Sequence, residues 1–228
     1  MYDIIFISYN EPNADANFAK LQARFSAPTL KRVQGVEGIH NAHIAAAKKS
    51  MTKMFWVVDG DAEVLDSFNF DYQVPVNELD HVHVWRSQNP ITGLVYGYGG
   101  VKLLPKKLTI NMNTNTLDMT MNISDKFKAM PEVSNITAFN TDDFSAWRSA
   151  FRECCKLAVI NNKESLARLD VWCQLNEQAP YGFYAYTGAL AGKAYGEKNA
   201  SNQEALARIN DFNWLEVWWL AEKSQLLL

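Results

Sequence analysis

Short, wholly apolar runs alternate with helix-spaced segments over the first sixty residues. Ile4 to Ser8 reads Ile-Ile-Phe-Ile-Ser, the pattern of a strand buried on both faces. The turn Tyr9-Asn10-Glu11-Pro12 follows, and Asn13 to Phe25 carries Ala16, Ala19/Lys20 and Ala23 at helical spacing, ending before Pro28. Leu30 to Val33, extending to Val36, predicts a second strand, with Gly35 and Gly38 marking the loop after it. His40 to Lys49 is alanine-rich and predicts a helix with Lys48 and Lys49 on its polar face. Phe55-Trp56-Val57-Val58 then predicts a third strand, apolar on both faces, which delivers Asp59-Gly60-Asp61 to its carboxyl end. Strand and helix alternating at this length predict right-handed βαβ units and a parallel sheet.

Beyond that point the period changes. Asp80 to Arg86 alternates His81, His83 and Trp85 against Val82 and Val84, a strand with two distinct faces. Gly93 to Gly100 is rich in glycine and tyrosine and predicts a mobile loop, and Val101–Leu104 and Leu108–Met112 predict further strands. Asn111 to Asn122 is rich in Asn, Thr and Met without clear period. From Phe144 the spacing of Trp147, Phe151, Cys154/Cys155 and Ala158 is that of a helix, and the rest is mainly helical to Trp214–Leu220. The expected fold class is therefore α/β: a Rossmann-type, mostly parallel sheet flanked by helices over residues 1–143. A helical C-terminal region, residues 144–228, is expected to pack on that core.

Composition supports a folded chain. At 228 residues, 48% hydrophobic and 12% aromatic, it has material for a sizeable core. The net charge of −3 supplies no global field toward nucleic acid or an anionic membrane. Residues 102–168 hold 10 Lys/Arg against 7 Asp/Glu, a modest basic middle that suits a phosphate-bearing ligand or an ordinary mixed surface. Cys154, Cys155 and Cys173 give neither metal-ligand spacing nor a disulfide framework, so a reducing setting is expected. The N-terminus has no signal-peptide pattern and no run approaches transmembrane length, so the expected location is soluble and cytoplasmic.

Chemistry concentrates at a few positions. Two carboxylates on one tight turn at the carboxyl edge of a sheet suit a hard divalent cation and the phosphate oxygens it clamps; two solvated turn aspartates are the plain alternative. Thr141-Asp142-Asp143 stands before a helical run, so either aspartate serves as a general base in a cleft or as a helix N-cap. Arg148 and Arg152 share a helix face that can meet phosphate or solvent, with Lys156 continuing the row. The pairs His40/His43 and His81/His83 have nothing that places them together, so zinc is not the expected metal. Gly188-Ala-Leu-Ala-Gly192-Lys193 lacks the length and the Ser/Thr of a phosphate loop.

Three of these pieces in order resemble the GT-A class of nucleotide-sugar glycosyltransferases, family-2-like members above all. Ser8-Tyr9-Asn10-Glu11 is similar to the turn after the first strand of many of these enzymes. Gly38-Ile39-His40-Asn41, its helix, the strand and Asp59-Gly60-Asp61 resemble their Asn-helix-strand-Asp-x-Asp unit. Thr141-Asp142-Asp143 resembles the acidic pair that supplies the base in inverting members, although those more often have Glu-Asp. The resemblance covers residues 3–156 and implies a GT-A-like fold, Mn²⁺ or Mg²⁺ on Asp61 and Asp59, and a nucleotide-diphosphate sugar, a UDP-sugar first. It further implies nucleotide contacts from Ser8, Tyr9, Asn10, Glu11, Asn41 and Asp59, and Asp142 or Asp143 as base. Gly99 and Gly100, in Tyr98-Gly99-Gly100-Val101-Lys102, resemble an acceptor-side glycine loop, with a simple hairpin turn as the plain alternative. The chain is also similar to small glycosyltransferases of T-even-like bacteriophages, which implies hydroxymethylcytosine DNA as one acceptor. Two other readings stand beside this one. Asp-x-Asp after a strand is also the signature of haloacid-dehalogenase-type phosphatases, though there it sits on the first strand and is followed by Thr or Val where this chain has Glu63. A non-catalytic nucleic-acid or interaction module would use the basic middle and the aromatic tail.

Overall fold

The computed structural model describes residues 1–113 and 119–226, apart from the side chains of 96–98 and 225–226. Residues 114–118, within the Asn/Thr/Met-rich stretch, lie outside the described residues. The first half runs β1 (Asp3–Ser8), α1 (Ala14–Arg24), β2 (Leu30–Gln34), α2 (Ile39–Lys49), β3 (Met54–Asp59), β4 (Ala62–Val64), β5 (Val82–Gln88), β6 (Val95–Pro105), α3 (Lys106–Ile110), α4 (Met119–Ile123) and β7 (Phe127–Thr137). Helices follow: α5 (Asp143–Ile160), α6 (Lys163–Trp172), α7 (Gly182–Asn199), α8 (Gln203–Ala207) and α9 (Phe212–Leu226). No helix among the described residues is long and apolar enough to cross a membrane.

The seven strands form one sheet in the order β2-β1-β3-β6-β5-β7-β4. β1 pairs in parallel with β2 and β3, and β5 with β7, whereas β6 is antiparallel to both β3 and β5, and β4 is antiparallel to β7. Five strands thus run one way, and β6 and β4 run against them. Successive β1 residues alternate between two cores. Ile4 and Phe6 join Trp56, Val58, Trp85 and Leu103 on the α1 face, while Ile5 joins Phe55, Val57, Val84, Ala46 and Ala47 on the α2 face. This is why β1 and β3 read as unbroken apolar runs. Trp56 anchors the first core, edge-on to Phe68 and Phe70 and 4.6 Å from Trp85 between centroids.

Two expectations are corrected, and two strands were not foreseen. Residues 95–100 belong to strand β6, not to a mobile loop, because β6 pairs with β5 from Val95 onward. Leu108–Met112 is not a strand: Pro105 ends β6 at a helix start, a position proline tolerates, and Thr109 Oγ1 donates back to Pro105 O at 2.9 Å to close α3. β4 and β7 escape the pattern, since β4 has three residues and β7 contains Pro131 and polar residues.

By internal contacts the chain divides into residues 1–89 with 95–138, and residues 90–94 with 139–228. The second unit is helical around α5, whose Ala146, Ala150, Cys154 and Leu157 face one cluster while Trp147, Phe151 and Cys155 face another. α7 lies against α5 along Gly188, Gly192 and Gly196: an added Cβ at the first two would run into the carbonyls of Trp147 and Phe151, and at Gly196 it would stand 2.6 Å from Cys155 O. The repeat that fails as a phosphate loop is thus a close-packed helix seam. The tryptophan-rich α9 buries Leu215 and Trp219 in the same unit, and the Trp147 and Trp218 indoles both donate to Glu222.

Candidate functional site

The turns that leave β1 and β3 meet. The two strands are parallel neighbours with Ile7 opposite Asp59, so the chain emerging after Ser8 runs beside the chain emerging after Asp59. Past β1, Tyr9 N–H donates to Glu11 Oε2 at 2.7 Å and folds that turn back on itself. Past β3, Gly60 offers bare backbone to the same carboxylate: a Cβ there would stand 2.6 Å from Glu11 Oε2 and 3.2 Å from Ile7 O. Asn17, buried on α1, donates Nδ2 to Gly60 O at 3.0 Å, and Ala138 N–H donates to Asp61 O at 2.9 Å. Three segments thus enclose the Asp59-Gly60-Asp61 turn: β1 with the turn after it, α1 and the residue after β7.

Crowding of acids sets the electrostatics. Loss of water pushes the Asp61 carboxyl up to about 6, with the Asp59 charge adding to this, Lys102 opposing it and Glu11 contributing. Burial also pushes Asp59 up while Lys102 pulls back. Lys102, only 4% exposed, places Nζ 2.8 Å from both carboxylate oxygens of Asp59. Among the described residues no three His, Cys, Asp or Glu side chains form a ready-made metal cage. Mg²⁺-like ions are typically held by one or two carboxylates and completed by water and phosphate oxygens, so the oxygen donors and mutual repulsion of Asp61, Asp59 and Glu11 fit such a cation.

The neighbouring expected residues fall into two groups. Tyr9, 52% exposed, and Asn10 stand open at the turn. Ser8 is buried, its Oγ accepting from Arg32 Nε at 2.9 Å. Arg32 is braced in turn by Asp15 and by the rings of Phe6 and Phe18. Asn41 is exposed in the first turn of α2 and donates to Glu37 O at 3.1 Å. Gly99 sits in β6 at φ +149°, and Gly100 gives room to the buried Asn135 side chain, which a Cβ at 100 would overrun. The histidines are engaged locally: His40 Nε2 accepts from Asn122 at 2.8 Å, His81 faces Asp80 at 2.8 Å and His83 faces Glu78 at 3.0 Å.

Asp142 caps α5, and Asp143, Arg148 and Arg152 lie along that helix in the helical unit. Asp142 is the N-cap, its Oδ1 accepting from Ser145 N–H at 2.7 Å and its Oδ2 from Ser145 Oγ at 2.8 Å. Asp143 pairs with Lys223, and that hydrogen bond holds its carboxyl below the usual range against the effect of burial. Arg148 stacks on Phe144 and Phe212, 4.2 Å from the latter's centroid, and Arg152 also lies over Phe212 and donates to Asn210 at 2.8 Å.

Lys102, expected only as the end of the glycine stretch, is the residue that pairs with the acidic turn. The signal was a single lysine inside the apolar run Val101–Leu104, where an unpaired charge would be costly.

No protein-family model and no curated protein matches the chain. Among solved structures, the chain is similar to HddC from Yersinia pseudotuberculosis at 14% identity and a TM-score of 0.36, over 61% of this chain and 92% of that one. It is also similar to the mannosyltransferase PcManGT from Pyrobaculum calidifontis, determined in complex with GDP-Man and Mn2+, at 12% identity and a TM-score of 0.42, over 100% of this chain and 81% of that one.

Proposed function

We propose that this chain is a metal-dependent glycosyltransferase that takes its sugar from a nucleotide diphosphate. The observation that carries the reading is the junction of the Ser8–Glu11 and Asp59–Asp61 turns at the carboxyl ends of parallel strands, where a side chain at position 60 would displace Glu11. Such an edge is where open α/β sheets bind ligands. Tyr9, exposed beside it, offers a face to a nucleotide base, and Asn10 offers its amide to the base edge. Asp61 and Asp59 would hold Mn²⁺ or Mg²⁺, and the bound cation would offset the charge that grows on a departing diphosphate. If transfer inverts, the acceptor hydroxyl must lose a proton, and Asp142 or Asp143 would take it; hydroxymethylcytosine in DNA is the first acceptor to try. Calorimetry with UDP, with and without Mn²⁺, tests the donor half: Mn²⁺-dependent binding lost in Asp61→Ala is expected, and metal-independent binding, or full binding by that variant, would sink the proposal. Mass spectrometry after incubation with nucleotide sugars and candidate acceptors tests transfer itself.

One observation favours a phosphatase as the second reading. Lys102 holds Asp59 between two 2.8 Å contacts, which would suit a nucleophilic carboxylate. The motif's place on β3 and Glu63 after it weigh the other way. Hydrolysis of an aryl phosphate, abolished by Asp59→Asn, would establish it.

A further inference from the structure

On the sheet-facing side of α2 is a buried polar atom that no described residue satisfies. His43, on the buried face of α2, is 2% exposed, and its Nδ1 lies 2.8 Å from Ile39 O. A carbonyl only accepts, so Nδ1 carries the proton and Nε2 presents a bare lone pair. Nε2 is buried and, among the described residues, has no hydrogen-bond partner. An orphaned buried acceptor is costly, so its persistence calls for a reason. Lys102 stands opposite Val57 and Val84, which pack with Ala46 and Ala47 on the side of α2 that buries His43, and its charge helps burial hold the ring neutral. Lys102 itself rises from β6 between Val57 of β3 and Val84 of β5, and its ammonium is spent on the two oxygens of Asp59.

We propose that Lys102 is a two-position lysine: its ammonium pairs with Asp59 until a divalent cation and diphosphate take that carboxylate, and then turns to His43 Nε2. This rests on the reading of Asp59 and Asp61 as the metal site. An ammonium and a divalent cation repel each other across one carboxylate, so the two compete for Asp59. The lysine stem is buried and its charge needs an acceptor; the neutral imidazole supplies one without adding a negative charge that would hold the ammonium there permanently. Lys102 thus acts as a positioning residue. It keeps the half-buried Asp59 carboxylate paired, and it sets how tightly metal binds.

The test is Mn²⁺ and UDP calorimetry on the full chain and on Lys102→Met and His43→Phe, with circular dichroism and melting curves as the check on folding. It is joined by ¹⁵N NMR of the His43 ring as Mg²⁺ and UDP are added. Removing the competitor is expected to tighten metal binding about tenfold or more in Lys102→Met, and removing the second acceptor to weaken it several-fold in His43→Phe. The Nε2 resonance is expected to move to a hydrogen-bonded position only when Mg²⁺ and UDP are both present. Equal or weaker metal binding in folded Lys102→Met, or an Nε2 resonance unmoved while wild type binds Mg²⁺ and UDP, overturns the proposal and leaves the metal site standing. A wild-type chain that binds no divalent cation removes both. If Lys102→Met does not fold, the His43→Phe titration and the wild-type NMR decide alone.

Discussion

Glu11 and Gly60 are interlocked: the carboxylate of one fills the space that any side chain on the other would need, with a Cβ at 60 standing 2.6 Å from Glu11 Oε2. The same Oε2 receives the Tyr9 amide, so a change at position 60 propagates into the turn after β1.

Gly60→Ala is expected to displace Glu11 and with it Tyr9. Overpacking of this kind costs about 1–3 kcal/mol, read as a lower midpoint in urea. Nucleotide affinity in the presence of Mn²⁺ should fall about tenfold or more. An affinity equal to that of wild type would refute the coupling.

Acid should destabilise the fold through His43. Burial first, then Lys102, lowers its pKa from 6.5 to about 3. Between these values the unfolded chain binds a proton that the folded chain does not, so stability rises with pH and is lost as pH falls below 6.5. The slope from this group is about 1.4 kcal/mol per pH unit. Denaturant titrations from pH 7 to pH 4 should show a shallower pH dependence in His43→Phe than in wild type, and a parallel pair of curves would count against it.

Asp142 separates capping from catalysis. Asp142→Ala should lower stability by about 1 kcal/mol, and Asp142→Asn, whose side-chain oxygen still accepts from Ser145 N–H, should retain most of it. If Asp142 is the base, both variants lose transfer by about 10²–10⁴-fold with unchanged donor binding. Full transfer by Asp142→Asn assigns the proton to Asp143 or to another group.

The α5–α7 seam predicts its own sign. Alanine is intrinsically favoured over glycine in a helix by about 1 kcal/mol, so an uncrowded Gly192→Ala would stabilise. Because a Cβ there would meet Phe151 O, we expect a melting temperature lower by several degrees.

Much of this molecule was legible in its apolar periodicity, and the exceptions have physical causes. β1, α1, β2, α2 and β3 follow from burial on both faces of a sheet, which leaves long apolar runs in the chain. β7 was not legible because its polar residues and Pro131 blur any alternation, and β4 was not because its three residues carry no period. The acidic turn could be named from Asp59 and Asp61, but not the lysine that pairs with one of them, since Lys102 comes from an antiparallel strand that sequence order does not bring next to β3. The glycines of α7 were visible as a repeat, yet their role depends on which helix they touch.

Only two residues separate β3 from β4, yet β4 lies at the far edge of the sheet against β7, and Asp61 O takes its hydrogen bond from Ala138, just past the end of β7. The sheet must curl for both to hold, and register shifts of β5 against β6 and β7 supply bends. The consequence is temporal. The acidic turn is encoded early but takes its shape only after a strand made much later has docked, a non-local closure of the kind that slows folding. During refolding, the Ala138 amide should gain protection from hydrogen exchange at the same time as the chain gains affinity for metal, and after the β1–β3 pairing has already formed.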